Sequence, residues 1–272
     1  MDLAYWGFSR WPFLRHEIRS GVDVGAAYLE AQSRLIFLAD EYRRCGLLTG
    51  VAGIGKTRLF RQMMRYVQRR GNACFHVDMS GISADELVWQ VADRLLTNCQ
   101  GVTAAPQCWQ LVQQSLAGMS LTKRSVVALF EHLDQADRNC LVAIRRLMNL
   151  ADSQGTKLTV LLASRTPGVV AEIWDEMELL VHLEPWTSSE TNEFIEKSLN
   201  QCGSTADMFT AEALATIHEV AQGVPGEVIR ICDLVLLAAM GEGLRRIDGA
   251  VVTDAAVELV PSRPLEFSPS RR

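Results

Sequence analysis

The sequence predicts an α/β fold: a parallel sheet covered on both faces by helices in a three-layer core, followed by a small C-terminal helical domain. Three observations carry this. Between residues 45 and 167, short apolar runs alternate with amphipathic helical segments, and such alternation implies parallel strands joined by right-handed crossovers. Two of the runs, SVVALFE and KLTVLLASR, are continuously apolar toward their middles, as strands buried on both faces are. After Pro167 the texture changes to helical segments with clear start and stop signals.

The elements follow in order. Residues 1–27 are irregular and aromatic, and a helix is expected over Ala27–Arg44, so residues 1–44 form an N-terminal arm and helix. CGLLTG is a short apolar strand entering a glycine-rich loop. KTRLFRQMMRYVQRRG is a helix with Leu59, Phe60, Met63, Met64 and Val67 on one face, ending at Gly71. NACFHVDMS is the second strand. SADELVWQVADRLL opens with a capping box, Ser83 capping and Glu86 reaching back. SVVALFE is the third strand, NCLVAIRRLMNLA a helix, and KLTVLLASR the fourth strand, so the core spans residues 45–167. In the helical domain, residues 168–260, Thr187 and Glu190 form a second capping box, with Gly203 beyond that helix. Thr210 heads the next helix, with Gly223 beyond its end. Pro225 suits the first turn of another, which ends near Gly241, and a last short helix follows Thr253. Residues 261–272, rich in Pro, Ser and Arg, read as a disordered tail.

Composition bounds the function. A chain of 272 residues, 48% hydrophobic, can bury a large core and a smaller second domain. The net charge of -5 gives no bulk reason for strong non-specific nucleic-acid binding. The seven cysteines are scattered, odd in number and without a CxxC pair, so they read as reduced thiols rather than a disulfide framework or zinc site. The start lacks the apolar run of a secretion signal, and no stretch approaches the roughly 18 apolar residues of a membrane span. On these features a cytoplasmic location without membrane insertion is expected.

The most informative stretch is Gly50-Val51-Ala52-Gly53-Ile54-Gly55-Lys56-Thr57, which matches the phosphate-binding (Walker A) loop without a gap. Glycines let successive backbone N–H groups turn toward one point as an anion nest, and the helix starting near Lys56 adds its positive N-terminal end. Lys56 offers a point charge to the β- and γ-phosphates of ATP, and the Thr57 hydroxyl is a ligand for Mg2+. Gly50 through Arg58 are therefore the candidate nucleotide-binding residues.

With these residues in view the chain resembles the AAA+ ATPases of the ExeA/GspA family, linked to general secretion, and the related TniB-type transposition ATPases. The resemblance runs over about residues 3–260. It is carried by YWGFSRWPF, LEAQSRL, LLTGVAGIGKTRL, IRRLMNLA, LEPWTSSETNEFIEKSLNQCG and FTAEALATIHEVAQGVPGEVIRICD. It implies a P-loop NTPase (AAA+) core with the helical domain as a lid, a nucleotide held between them, and frequent action as a homo-oligomer. In the secretion family a membrane span and a peptidoglycan-binding domain follow the ATPase domain. The present sequence has neither, so anchoring at the envelope is not expected of it.

The resemblance also assigns roles, with departures. Glu131 stands where the family has the Mg2+-coordinating Asp, so Thr57 and Glu131 are the candidate metal ligands. His132 stands at the catalytic Glu that deprotonates the attacking water, a task open to a neutral imidazole. An alternative register makes Glu131 the catalytic acid and leaves Phe130 at the metal position; EHLDQAD favours the first register, Asp134 matching the family's Asp-Gln-Ala ending. The lid's Pro-Arg is Pro225-Gly226 here, with Arg230 one turn on. Arg165, ending the fourth strand, resembles the Ser/Thr-Arg ending of signalling NTPases and is a candidate for the charge that Gly226 lacks; a solvated loop arginine is the plainer reading. Arg145 and Arg146 are either an arginine finger or a solvated face. Trp11, Pro12 and Phe13 either pack on adenine or dock the N-terminal arm on the core. His76, His182 and His218 stand alone and read as structural. The basic run Arg65–Arg70 is a solvated face or, as in a transposition relative, a DNA contact. The expected function is slow Mg-ATP hydrolysis coupled to lid closure and to a protein partner; the alternatives are an ATP-held switch or a DNA-associated ATPase.

Overall fold

The computed structural model describes residues 2–13, 25–95, 104–204 and 206–258. Cys99 and the expected tail at 261–272 lie outside the described residues. In chain order the elements are a one-turn helix α1 (Leu3–Trp6), α2 (Ala26–Asp40), β1 (Cys45–Thr49), α3 (Lys56–Arg69), β2 (Ala73–Asp78), α4 (Ala84–Leu95), α5 (Ala105–Leu121), β3 (Val126–Glu131), α6 (Asn139–Ser153), β4 (Leu158–Ser164) and β5 (Leu179–His182). Four helices follow: α7 (Ser188–Asn200), α8 (Ala211–Ala221), α9 (Pro225–Gly241) and α10 (Gly249–Val257). By contacts the chain forms two compact units, one of residues 26–184 and one of residues 1–25 with 185–272.

The first unit is the predicted three-layer core. Its sheet is parallel throughout, in the order β2-β3-β4-β1-β5. Every residue of β1, β3 and β4 is buried, which explains their unbroken apolar runs. Alternate residues face opposite sides of the sheet. Cys45, Leu47, Phe75, Val77, Ala128, Phe130, Val160 and Leu162 pack in one cluster with α4, α5 and α6. On the other face α2 and α3 contact the strands; a Cβ on Gly46 would lie 2.3 Å from Leu38 Cδ1, so α2 sits directly against β1 there. Of the predicted α3 stripe, Leu59, Phe60, Met63 and Val67 are buried and Met64 is half-buried.

The structure adds two elements to this unit. A fifth strand, β5, joins the edge beyond β1, pairing Leu179 with Gly46 and His182 with Thr49. Helix α5 follows residue 104, where no element was expected. Arg145 pairs with Asp175, and the Arg146 guanidinium lies 4.3 Å from the centroid of the Trp109 ring.

The second unit is helical. Thr187 and Glu190 form the predicted capping box on α7, and Thr210 accepts from the Ala213 N–H to cap α8. The last helix starts earlier than expected: Asp248 caps α10, leaving Thr253 in its interior. The N-terminal aromatics belong to this unit and not to the core. The Trp11 Nε1–H donates to Asp233 Oδ1 at 2.6 Å, and the Phe13 and Phe194 ring centroids are 6.4 Å apart. The Tyr5 hydroxyl donates to the Leu244 carbonyl at 2.8 Å.

Candidate functional site

The carboxyl ends of the strands gather the chemically capable residues, as parallel α/β sheets do. Thr49 is level with Ser164 on β4 and with His182 on β5, and Asp78 is level with Glu131. From Thr49 the chain turns through Gly50–Gly55 into α3. Gly50, Gly53 and Gly55 all have positive φ, at 148°, 80° and 113°. At Gly50 a Cβ would also meet the Leu183 carbonyl and Ile54 Cγ2 at 3.0 Å, so both backbone and space require glycine there. Gly55 is the N-cap of α3, and among the described residues no side chain caps that end and no acid lies in the first turn. The helix dipole places partial positive charge at this end.

Lys56 is buried, and its ammonium donates to the carbonyls of Gly50 at 2.6 Å and Val51 at 3.0 Å. Those bonds offset part of the cost of burying the charge and hold the amine across the loop. The Thr57 hydroxyl donates to Glu131 Oε1. A P-loop hydroxyl and a strand-end carboxylate, remote in sequence, thus share one spot. Arg58 lies over the Tyr28 ring, 5.7 Å from its centroid; burial lowers the Arg58 pKa and pushes the Tyr28 hydroxyl up to about 12, Arg58 opposing the latter.

Glu131 is 2% exposed. Its Oε2 lies 3.1 Å from His76 Nε2. Burial alone would raise its pKa, but hydrogen bonds from His76 and Thr57, with the nearby charge of the two histidines, hold it below the usual carboxylate value. His76 was read as solitary in the sequence; it is instead a direct partner of the site. His182 and His218 also have partners, the hydroxyls of Thr49 and Thr191, each at 2.9 Å from Nδ1.

His132 lies one residue past the strand, in the left-handed region at φ 57°. Its Nδ1 is 2.9 Å from Asp78 Oδ1. Asp78 is exposed, and although what desolvation it has works against ionisation, hydrogen bonds from Ser80 and His132 bring its pKa down to about 2. Phe130 is turned the opposite way, its ring centroid 6.1 Å from Phe75 in the cluster beneath α4–α6. Arg165 pairs with Asp134: Nε lies 3.3 Å from Oδ2, and the Arg165 backbone N–H donates to Oδ1 at 3.3 Å. Ser164 is buried at the end of β4, its hydroxyl donating to the Thr166 carbonyl at 2.5 Å. In the helical unit Arg230 pairs with Glu227 at 3.5 Å. The structure therefore joins Gly50–Thr57 with Glu131, sets His132 on Asp78, and sets Arg165 on Asp134. Sequence reasoning missed His76, Asp78 and Tyr28; the level pairing of β2 with β3 is the signal that identifies the first two.

A five-stranded parallel sheet in this order, with a glycine-rich loop running from β1 into α3, is a P-loop fold of the AAA type. Residues 39–169 match the family model described as AAA domain. The chain is ExeA/GspA-like: it is 25% identical over 222 residues to the general secretion pathway protein A of Aeromonas hydrophila. That match covers 78% of this chain and 40% of the relative's length. The fold is also that of CDC6P from Pyrobaculum aerophilum (TM-score 0.71, 13% identity, 97% of this chain and 73% of that one). It is shared with the Aeropyrum pernix ORC1 protein in complex with DNA (TM-score 0.67, 13% identity, 91% and 68%). The Thermotoga maritima RuvB Holliday junction branch migration motor is similar (TM-score 0.54, 16% identity, 85% and 68%). At these identities the likeness concerns the fold.

Proposed function

We propose that this chain binds Mg-ATP on Gly50–Arg58 and hydrolyses it slowly. The observation that carries the reading is the hydrogen bond from the Thr57 hydroxyl to Glu131. It pairs two hard oxygen donors at the open end of a P-loop helix, a set suited to Mg2+, which takes one or two protein oxygens and completes its shell with phosphate and water. Among the described residues no group of three or more His, Cys, Asp or Glu side chains would hold a metal by itself, so an ion here depends on the nucleotide. Thr57 and Glu131 are its proposed ligands. Held by Thr57 and Glu131, Mg2+ would supply positive charge to offset what develops on the transferred phosphoryl group.

The orientation of Phe130 into the opposite face favours the register in which Glu131 serves the metal and His132 the attacking water. His132 presents Nδ1 to Asp78, and a donated Nδ1–H leaves Nε2 as the lone pair that accepts the water's proton. Beside a dication, which lowers its proton affinity, a neutral imidazole is a poorer candidate for this task than an anionic carboxylate, hence slow turnover. Arg165, oriented by Asp134, supplies the positive charge toward the γ-phosphate that Gly226 has no side chain to give.

ATP binding then draws core and helical lid together, and a protein partner reads that closure; action as a homo-oligomer in the cytoplasm fits this reading. No helix among the described residues is long and apolar enough to cross a membrane. A DNA-associated role is subordinate: within the basic run, Arg70 is engaged by Asp40 and lies over Tyr66. The second reading, an ATP-held switch with negligible turnover, rests on the same His132 together with Gly226. Steady-state phosphate release by the wild-type protein, against Lys56→Ala as background, separates the two. Turnover above that background supports the enzyme; turnover equal to it, with ATP still bound tightly by the wild type, establishes the switch.

A further inference from the structure

We propose that His76 is the positioning residue of the Glu131 carboxylate, holding it where it shares a Mg2+ with Thr57. This rests on the Mg-ATP reading above and adds to it a residue that the P-loop and strand-end motifs do not contain. The strand register explains the contact. His76 on β2 is level with Leu129 on β3, and Glu131 lies two residues further along the same face, a diagonal that only long side chains span. A glutamate has one more rotatable bond than an aspartate, so its carboxylate is less fixed by its own backbone. Here both oxygens are claimed: Oε1 by the Thr57 hydroxyl and Oε2 by His76 Nε2 at 3.1 Å. An ionised carboxylate only accepts hydrogen bonds, so His76 donates through Nε2–H. The ring is itself oriented by the edge of Phe60, with centroids 6.4 Å apart and planes at 80°.

A second pressure makes the partner necessary. Asp78 is level with Glu131 across the two strands, and like charges so placed repel. The structure divides the two acids between separate donors: Asp78 is bonded by Ser80 and His132, Glu131 by Thr57 and His76. Without His76, Glu131 would be buried at 2% exposure with one oxygen lacking this donor. Its low-cost response is to rotate away from Thr57, which dismantles the ligand pair. Partners of this kind, bonded to a ligand rather than to the metal, typically support metal affinity by about 10- to 100-fold.

The test is a Mn2+ titration of the full chain with ATP, followed by electron paramagnetic resonance, for wild type, His76→Leu, His76→Asn and His76→Gln. Leucine lacks the donor, asparagine is too short to reach, and glutamine restores an N–H near the position of Nε2. Expected are roughly tenfold weaker Mn2+ binding for the first two variants and recovery to within about threefold for glutamine. ATP affinity in EDTA should stay at the wild-type value in all of them, which also certifies folding. In a Glu131→Gln background the same His76 changes should leave Mn2+ affinity unaltered. Wild-type Mn2+ affinity in both His76→Leu and His76→Asn overturns the proposal, as does an undiminished effect of His76 in the Glu131→Gln background. A wild-type protein that binds no ATP in EDTA or with Mn2+ overturns instead the Mg-ATP reading beneath it.

Discussion

Replacing His132 by glutamate sets two consequences of the geometry against each other. A carboxylate base in place of imidazole should raise turnover. A positioned general base contributes about 10²–10⁴ in rate, and His132 already supplies part of that, so the gain expected is about 10- to 100-fold. The same change should weaken the fold. His132 Nδ1 lies 2.9 Å from Asp78 Oδ1, so the new carboxylate faces Asp78 as a like charge in place of a hydrogen-bond donor. At about 4 Å two such charges repel by ~1 kcal/mol in a water-like medium and ~4 kcal/mol in a more protein-like one. The side chains of His132 and Asp78 are 36% and 58% exposed, so the lower figure applies. Residue 132 also sits at φ 57°, which histidine tolerates better than glutamate and which adds roughly 1 kcal/mol. The sum, ~2 kcal/mol, corresponds to a fall in Tm of roughly 4–8 °C for a chain of this size. Phosphate release at saturating Mg-ATP and a thermal melt measure the two effects on one preparation. Adding Asp78→Asn should recover about half of the lost stability while turnover stays high. Unchanged turnover in His132→Glu, with ATP binding intact, refutes the assignment of position 132 to the catalytic base.

Asp78 also makes a pH prediction. Its folded pKa, about 2, is below its ordinary 3.8, so its contribution is fully present above that ordinary value and is lost as pH falls through about 2. Asp78 is more than half exposed, and solvent screening leaves under ~1 kcal/mol. Unfolding free energies of wild type and Asp78→Asn from urea titration should differ by that much at pH 7 and converge toward pH 2. In the helical unit, Thr187→Ala removes the acceptor of the Glu190 N–H and one half of a capping box; about 1 kcal/mol should be lost in urea unfolding, with nucleotide affinity in EDTA unaffected.

The parts of this molecule legible in the sequence are those whose causes are local. The P-loop is a contiguous run in which glycine permits the turn, and β3 and β4 are apolar runs because both their faces are covered. The capping box at Thr187 is equally local. What escaped depends on neighbours remote in sequence. Strand β5 is four residues long and hydrogen-bonds to the sheet through β1 alone, with Leu180 and His182 exposed, so its pattern is too short and too mixed to declare itself. Helix α5 buries only Cys108, Val112 and Leu116 along its length, a stripe thinner than that of α3. His76 looked solitary because its partner lies 55 residues onward and is fixed by the β2–β3 register. The same register places Asp78 beside His132. The N-terminal aromatics were legible as packing residues, but their destination among helices of the second unit required the fold.

The most direct test of the account is equilibrium binding of ATP to the wild-type chain and to Lys56→Ala, each with Mg2+ and with EDTA. The account predicts saturable binding by the wild type that tightens with Mg2+, and loss of about tenfold or more in Lys56→Ala, whose ammonium otherwise spans the loop between Gly50 and Val51. Equal affinity in the two proteins, or none in the wild type under either condition, would contradict it.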